Sequence, residues 1–417
     1  MEETTAPLIT NDAVVFGILI VILAAVFGTA SSKRTGWQKF YSIVPTVLLC
    51  YFIPSILNSM GIISGAHSKL YFVASRYLLP ASLVLLTVSV DLKEIMKLGP
   101  KALIMFFAGT VGIMLGGPLA ILLFSVVAPD VVTGTPGQEV WRGMTAIAGS
   151  WIGGGANQTA MREVFGVGGE MFSTMVTVDI LIGNLWLAFL LYGTGRAEKI
   201  DKFLKSDTSA IEEVKKKIET YRLSIMRVPN MSDTLMILAV GFGVTGLSHF
   251  GADIIAPWIG ENFPGLEEYS LTSGFFWIVV IATTLGLLLS FTKARNLEGA
   301  GASRLGSVFL YILVATIGME MNLLAIFENP GLFLVGFVWI LFHITIMLVV
   351  AKLIKAPFFF VAVGSQANVG GAASAPIVAS AFNPSLAPVG VLLAVLGYAA
   401  GTYGAYLCGL MMQAVAP

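Results

Sequence analysis

Charged residues are scarce in this sequence: Asp, Glu, Lys and Arg together make up 12% of its 417 residues. Soluble domains carry about 25%, and a chain that is 56% hydrophobic could not cover its surface with polar groups. The formal net charge is zero, so nothing indicates a nucleic-acid partner. The composition therefore excludes an ordinary soluble domain and favours a protein surrounded by a lipid bilayer.

Catalytic and metal-binding motifs are also missing. The three histidines, His67, His249 and His343, are isolated in sequence, and there is no HExxH motif, no GxSxG elbow and no Walker A sequence. The two cysteines, Cys50 and Cys408, lie in apolar runs and are interpreted as small core residues. The acidic N-terminus lacks the basic region of a signal peptide. The sequence thus predicts neither an enzyme nor a bound cofactor.

Ten apolar runs are long enough to cross a bilayer, because a hydrocarbon core about 30 Å thick needs roughly 20 helical residues. They cover residues 13–31, 41–60, 70–90, 101–128, 170–194, 233–250, 273–291, 305–320, 330–351 and 387–412. We therefore expect an all-α polytopic membrane protein whose first run is retained as an anchor.

Two further stretches, Gly143–Gly166 and Pro357–Pro384, have glycine pairs or triplets at their centres, flanked by Ser, Asn and Gln. A glycine costs a helix about 1 kcal/mol relative to alanine. Both stretches are therefore predicted to be broken helices. They could be re-entrant hairpins, which return to the side they entered from, or crossing helices with a central break.

The chain divides into two similar halves, residues 1–195 and 233–417, joined by a charged linker at 196–232. Segment 86–106 parallels segment 315–337, and a Gly-Gly-Ala sequence follows in both halves, at 154–156 and 370–372. Because these features occur in the same order, we predict an internal repeat.

The positions of the basic residues favour hairpins over crossing helices. With the N-terminus outside and both glycine-rich stretches as hairpins, 20 of the 24 Lys and Arg residues fall on the cytoplasmic face, in segments 33–39, 93–101, 196–232, 293–304 and 352–355. Short basic loops stay in the cytoplasm. Each half then has five crossings plus one hairpin, and because five is odd, the second half is inverted relative to the first. Inverted repeats are typical of secondary transporters.

The broken helices are the candidate binding site. Backbone groups freed inside a membrane must be buried in protein or line a polar cavity, where free N–H groups suit anions and free C=O groups suit Na⁺. Packing of small residues between helices is the alternative explanation for the glycines. The candidate substrate-binding residues are Ser150, Gly154, Asn157, Gln158 and Thr159 in the first stretch, and Ser365, Gln366, Asn368, Gly370 and Ser374 in the second.

Acidic residues in apolar runs are candidates for cation coupling, because a carboxylate at membrane depth is costly. Asp179 lies mid-helix, where it could bind Na⁺ or carry a proton, or could simply be satisfied by Thr177 or Asn184. Glu320 could recruit a cation from outside, and both it and its repeat counterpart Asp91 could instead be end-caps.

Three other ionisable features have simpler interpretations. His343 is interpreted as a hydrogen-bonded packing residue. Arg76 could pair with an anionic substrate or extend towards the interface. Arg162 and Glu163 are expected to pair with each other.

The tandem motifs GSWIGGGANQTAM and GSQANVGGAASAP, each after a Thr-x-x-x-Asp/Glu helix end and a proline, resemble the uncharacterised YjcL-like membrane proteins along nearly the whole chain. That family has been grouped with cation:proton antiporters and anion transporters, which include bile-acid:sodium symporters, glutamate:sodium symporters and citrate carriers. The resemblance implies a core domain of broken elements that moves against a scaffold domain, with substrate and Na⁺ sites near the breaks. A complete sodium-site pattern is missing here, and the bile-acid relatives use crossing broken helices.

These observations predict an ion-coupled symporter in the cell membrane that uses Na⁺ or H⁺ to carry a small polar or anionic solute, such as a carboxylate, an amino acid or a small peptide. A cation:proton antiporter with Asp179 as the exchanging group is the alternative within transport, and a membrane scaffold or receptor subunit is the alternative outside it. The sequence leaves open whether the chain forms a homodimer.

Overall fold

The computed structural model describes residues 7–41, 44, 46–207, 211, 228–319, 330–383 and 386–417. Within these ranges every regular element is helical. The α-helices are α1 Asp12–Ala30, α2 Thr35–Tyr41, α3 Thr46–Ser59, α4 Leu70–Val88 with a π-helical turn at Ala74–Leu78, α5 Leu92–Lys97, α6 Pro100–Val127, α7 Pro129–Val132, α8 Val140–Gly153, α9 Gly155–Val164, α10 Gly169–Thr194, α11 Ala197–Leu204, α12 Met231–Asn262, α13 Gly274–Leu289, α14 Ala302–Gly318, α15 Gly331–Ile354, α16 Phe358–Val369, α17 Gly371–Phe382 and α18 Ala387–Val415. Short 3₁₀ helices lie at Gly65–His67, Pro264–Tyr269 and Lys293–Ala300.

The number of membrane-spanning helices in the described part of the chain is close to the predicted ten. Seven helices are long and apolar enough to cross a bilayer alone, and up to nine are counted if each of two bent helix pairs is one span. The one remaining predicted run, 305–320, corresponds to α14, which has 17 residues and is about 25 Å long. The chain is therefore a membrane protein with several transmembrane helices.

Helix α12 is longer than the apolar run that predicted it. The run ends near residue 250, whereas the helix continues to Asn262. Beyond residue 250, Ala252, Ala256 and Ile259 are buried while Asp253 and Trp258 are exposed. Since this spacing keeps one face packed against the protein, the helix continues after mean hydropathy has fallen.

The helices form two bundles. In the scaffold bundle, which we define as α1, α3, α4 and α12–α14, α4 packs against α12, α13 and α14. In the core bundle, defined as α6, α8–α10 and α15–α18, α6 packs against α15 and α8 packs against α18. Contact between the bundles runs largely through α9 and α18, which touch α4 and α13. Each bundle takes helices from both halves of the sequence, and the inverted relation of those halves stays a prediction.

Helices α8 and α18 approach each other through glycines. A Cβ atom added at Gly401 would lie 2.4 Å from Cα of Gly153, closer than real contacts allow. Small residues let membrane helices pack backbone to backbone. This close contact fixes the middle of α18 against the end of α8, next to the break at Gly154.

Candidate functional site

Both glycine-rich stretches fold as helical hairpins rather than as crossing helices. Hairpin 1 consists of α8 and α9, and near its open end Arg142 donates a 2.7 Å hydrogen bond from Nη1 to the carbonyl oxygen of Phe165. Hairpin 2 consists of α16 and α17, and at its open end the rings of Phe359 and Phe382 are 5.3 Å apart. Since residues at the two ends of each stretch are neighbours, each chain segment turns back at its glycines.

The turns use backbone conformations that favour glycine. Gly154, between α8 and α9, has φ +76°, and Gly371, at the start of α17, has φ +56°. Residues with a Cβ atom rarely adopt these angles. The glycine clusters that mark both stretches in the sequence therefore have a direct conformational role at the hairpin tips.

Asp179 of α10 accepts hydrogen bonds from hairpin 1. Its Oδ2 atom accepts from the Ser150 hydroxyl at 2.7 Å and from the Gln158 amide at 2.8 Å, and its Oδ1 atom accepts from Trp151 Nε1 at 2.7 Å. Ser150 and Gln158 lie on opposite arms of the hairpin, so the carboxylate ties the two arms together. All four side chains are at most 9% exposed.

This arrangement leaves Asp179 with unused capacity for a cation. A carboxylate has about four acceptor positions, and the three donors occupy two on Oδ2 and one on Oδ1. All three donors are neutral, and no Lys or Arg in the described ranges forms an ion pair with Asp179. The second position on Oδ1 accepts no hydrogen bond from the described residues, and it is the candidate position for a proton or a metal cation.

Thr177 and Asn184, which the sequence offered as structural partners in the alternative interpretation of Asp179, do not hydrogen-bond to it. Thr177 and Asn184 instead donate to carbonyl oxygens of their own helix, those of Ser173 and Ile180. Trp151 was not predicted as a site residue. Its position next to Ser150 was the available signal, because a buried indole N–H needs an acceptor.

Hairpin 2 contains a similar pair of polar side chains but no carboxylate. The Gln366 amide donates from Nε2 to Ser374 Oγ at 2.7 Å, again across the two arms. The amide oxygen, Gln366 Oε1, is buried and has no hydrogen-bond partner among the described residues. An unpaired buried acceptor costs about 1–3 kcal/mol, so this atom indicates a position where a ligand could supply a donor.

The tips of the two hairpins lie beside the same helices. A Cβ atom at Gly397 of α18 would lie 2.8 Å from the Ile152 carbonyl oxygen of hairpin 1 and 3.6 Å from that of Ala367 in hairpin 2. On α10, Gly183 approaches Val369 near the tip of hairpin 2. Gly183 is one helical turn, about 6 Å, from Asp179. The Asp179 cluster and the tip of hairpin 2 are therefore close neighbours.

The two candidate asparagines hold hairpins against other helices. Asn157 donates to the carbonyl oxygens of Gly153 and Tyr398 and accepts from Thr402. Asn368 likewise donates to the carbonyl oxygens of Gly364 and Phe106 and accepts from Thr110.

Thr159 is also satisfied locally, by a hydrogen bond to the Gly155 carbonyl oxygen. A Cβ atom at Gly370 would clash with Gln366 Nε2 and Ser374 Oγ, so a side chain there would displace this hydrogen-bonded pair. The contacts of Asn157, Thr159, Asn368 and Gly370 are those of structural residues, and a role in binding substrate stays a prediction for all four.

Ser365 belongs to a separate hydrogen-bonded chain inside the core bundle. Trp186 Nε1 donates to Ser365 Oγ at 2.8 Å, and Ser365 Oγ is 2.7 Å from His343 Nε2. Since His343 Nδ1 must donate to the carbonyl oxygen of Gly109, Nε2 of a neutral ring accepts from Ser365. Both ring nitrogens are thus used internally, in agreement with the interpretation of His343 as a packing residue.

The remaining charged candidates lie away from the hairpin tips. Glu163 forms an ion pair with Arg76 at 3.1 Å and accepts a hydrogen bond from Tyr71, whereas pairing with Arg162 was predicted. The Arg162 guanidinium stacks on the Tyr71 ring, 4.7 Å from its centroid. These contacts join α9 of the core bundle to α4 of the scaffold bundle.

Asp91 lies beyond the end of α4 and pairs with Arg295 at 3.2 Å. Glu320 lies outside the residues that the structure describes.

Comparison with known proteins agrees with the expected resemblance. The chain is 25% identical, over 418 aligned positions, to the uncharacterized membrane protein YjcL of Bacillus subtilis (strain 168), covering 95% of this chain and 96% of YjcL. The wider relation to antiporters and sodium symporters stays a prediction. Residues 17–415 match a family described as protein of unknown function, DUF819. This chain, a helical membrane protein with two polar hairpins in its core bundle, is therefore a member of the DUF819 family.

Proposed function

We propose that this protein is a secondary transporter that couples movement of a small carboxylate-bearing solute to Na⁺ or H⁺. The observation that carries the proposal is the Asp179 cluster, a buried carboxylate with three neutral donors and one open acceptor position. Intramembrane carboxylates of this kind mark ion pathways. The unpaired oxygen of Gln366 lies at the tip of the neighbouring hairpin, so a cation and a solute could bind side by side.

The solute class follows from comparing the two hairpins. Ser150 and Gln158 lie four residues before and four residues after Gly154, and Gln366 and Ser374 are placed in the same way around Gly370. In hairpin 1 this pair donates to a carboxylate of the protein. In hairpin 2 the pair donates to no protein carboxylate in the described ranges, so the carboxylate of a solute can take that place.

Two further features support a carboxylate with a neighbouring donor group. Hairpin 2 presents the N-terminus of α17, a 12-residue helix whose first N–H groups favour an anion. Gln366 Oε1 needs a donor. An amino or hydroxyl group next to the solute's carboxylate would supply it, so we favour amino and hydroxy acids.

A cation:proton antiporter is the second candidate within transport. This candidate is supported by the single open position on Asp179 Oδ1, because Na⁺ and H⁺ would compete for it. An antiporter would exchange these ions with no organic solute, whereas a receptor or scaffold subunit would move neither. These outcomes separate the three classes.

The experiment that tests the proposal is a screen of small amino, hydroxy and simple carboxylic acids against the purified protein. Thermal unfolding in detergent is followed in NaCl and in KCl, and each acid is paired with its primary amide, since ligand binding raises the stability of the folded state. We expect some acids to stabilise the protein and their amides not to, and the labelled acid to enter proteoliposomes along a Na⁺ or H⁺ gradient. If no acid binds while Na⁺ and H⁺ exchange, the protein is an antiporter, and if nothing moves, the transport proposal is wrong.

We further propose the cell membrane as the location, with the N-terminus outside and the halves inverted. Thr135 and Glu170 are exposed on either side of hairpin 1, and both native cysteines are buried. In intact cells, Thr135→Cys and Glu170→Cys proteins should both react with a membrane-impermeant maleimide, whereas a Lys202→Cys protein should react only after permeabilisation. Opposite labelling of the first two positions would contradict a re-entrant hairpin.

A further inference from the structure

A groove runs along the surface of the core bundle between α10 and α15. One end is closed by α11 and by the first turn of α16, and this part has a volume of about 510 Å³. Its walls are formed by apolar side chains such as Phe189, Phe203 and Leu348. All three are more than one third exposed, so the groove opens to the surroundings of the protein.

The groove continues along α10 towards the middle of the protein. A second cavity of about 190 Å³ shares Trp186, Phe189 and Ile344 with the first and extends to Ile182. From Ile182 to Gly193, α10 rises about 17 Å. This matches the length of one leaflet, about half of a 30 Å hydrocarbon core, so an extended acyl chain would fit along the groove.

The closed end of the groove carries two positive charges. Arg196 and Lys199 line the cavity and are three residues apart at the start of α11, so they lie on neighbouring positions of one helical face. The Arg196 guanidinium is stacked 4.3 Å over the Tyr192 ring. The exposed carboxylate of Glu198 lies between them in sequence, but no acidic side chain in the described ranges forms an ion pair with either cation.

Further basic residues lie at the same end of the molecule. Lys352 of α15 is 5.0 Å over the ring of Phe203. Lys101 pairs with Asp207 at 3.1 Å, and the Asp207 N–H donates to the Lys355 carbonyl oxygen. Basic residues concentrated at one membrane face bind anionic lipids. Here Arg196 and Lys199 line the closed end of an apolar groove.

We propose that this groove is a binding site for an anionic phospholipid of the bilayer. Arg196 and Lys199 hold the phosphate, and one acyl chain lies between α10 and α15. A zwitterionic lipid would place its choline group near the same two cations and binds less well. A soluble phosphate compound would leave the apolar length of the groove unfilled.

The site also contacts hairpin 2, since Phe358 and Val361 of α16 line the groove. Asp201 of α11 accepts a 2.7 Å hydrogen bond from the N–H of Phe358, which ties α11 to the start of that hairpin. A bound lipid therefore bridges α10, α11, α15 and α16 and stabilises the folded state. The inference does not depend on the transport proposal.

Thermal unfolding of the purified full-length protein tests the site, with phosphatidylglycerol and phosphatidylcholine of identical acyl chains added in detergent. We expect phosphatidylglycerol to raise the unfolding temperature more than phosphatidylcholine does. An Arg196→Gln/Lys199→Gln protein should bind phosphatidylglycerol roughly tenfold to 30-fold more weakly, given the usual contribution of two cations near an anionic lipid. A Lys33→Gln/Arg34→Gln protein loses the same charge at an exposed position elsewhere and should keep the wild-type preference.

A second variant and a second ligand identify what occupies the groove. Ile344→Trp fills the shared part of the two cavities and leaves both cations in place, so it should remove the preference for the long-chain lipid. Glycerol 3-phosphate, the headgroup without chains, should give no comparable stabilisation. Equal effects of the two lipids, or full stabilisation by glycerol 3-phosphate, would overturn the proposal.

Discussion

An Asp179→Asn protein should lose the stabilisation that a coupling cation gives the wild type. If Na⁺ is the coupling ion and is present at 100 times its Kd, it stabilises the wild-type protein by about 2.7 kcal/mol. Asparagine is nearly isosteric with aspartate but brings an NH₂ group, which would face the indole N–H of Trp151 or the donors of Ser150 and Gln158. The variant therefore loses both the negative charge and one acceptor, and we expect cation-driven uptake to fall by about 100-fold or more.

The measurement compares unfolding temperatures in NaCl and in KCl at equal ionic strength, followed by uptake into proteoliposomes. Asp91→Asn is the matched control, because Asp91 is also buried but pairs with Arg295 beyond the end of α4. It should lower stability in both salts alike and keep the Na⁺ response. If Na⁺ has no effect on the wild type, the same pair of proteins is compared across a proton gradient. Equal coupling in wild type and Asp179→Asn would remove Asp179 from the mechanism.

The sequence reveals those parts of this site whose residues are energetically unfavourable within their own segment. Asp179 is conspicuous because a carboxylate interrupts an apolar run, and the hairpin tips are conspicuous because glycines cluster where a helix should continue. The positions of basic residues then favour hairpins over crossing helices. Each inference uses residues within one segment, or the charge of its flanking loops.

The partners of these residues are not local, and the sequence did not identify them. Thr177 and Asn184 are near Asp179 in sequence, yet each donates its hydrogen bond to a carbonyl oxygen in the preceding turn of α10. The donors to Asp179 come from hairpin 1, between 21 and 29 residues away.

Asn157 and Asn368 cannot be distinguished in sequence from Gln158 and Gln366. Each asparagine nevertheless accepts a hydrogen bond from a threonine more than 240 residues away, Thr402 or Thr110, and so joins its hairpin to another helix. Which amide remains available to a ligand is therefore decided by tertiary packing. The division into two bundles is likewise decided by tertiary packing. The repeat indicates that the halves are alike, while the exchange of helices between them depends on contacts such as those of α6 with α15.

Ser374→Ala should weaken binding of the solute's carboxylate while leaving the Asp179 cluster intact. Ser374 is one of two side chains placed around Gly370 as the donors to Asp179 are placed around Gly154, and its hydroxyl hydrogen is free to donate because its oxygen accepts from Gln366. A hydrogen bond to a charged group contributes about 1.5–3 kcal/mol. We therefore expect the affinity for the acid identified in the screen to fall roughly tenfold to 150-fold, with the Na⁺-dependent stabilisation unchanged.

Ser365→Ala is the matched control, since it makes the same change in the same hairpin, next to Gln366. Ser365 hydrogen-bonds with Trp186 and His343, so its loss should lower the unfolding temperature without a specific effect on the carboxylate. Gln366→Leu removes both the second donor and the unpaired oxygen, so it should affect the two classes of acid differently. Binding of an amino or hydroxy acid should fall more than binding of the simple acid that lacks the neighbouring donor. If Ser374→Ala and Ser365→Ala change the Kd equally, the tip of hairpin 2 is not the carboxylate site, and the unpaired oxygen of Gln366 requires another ligand.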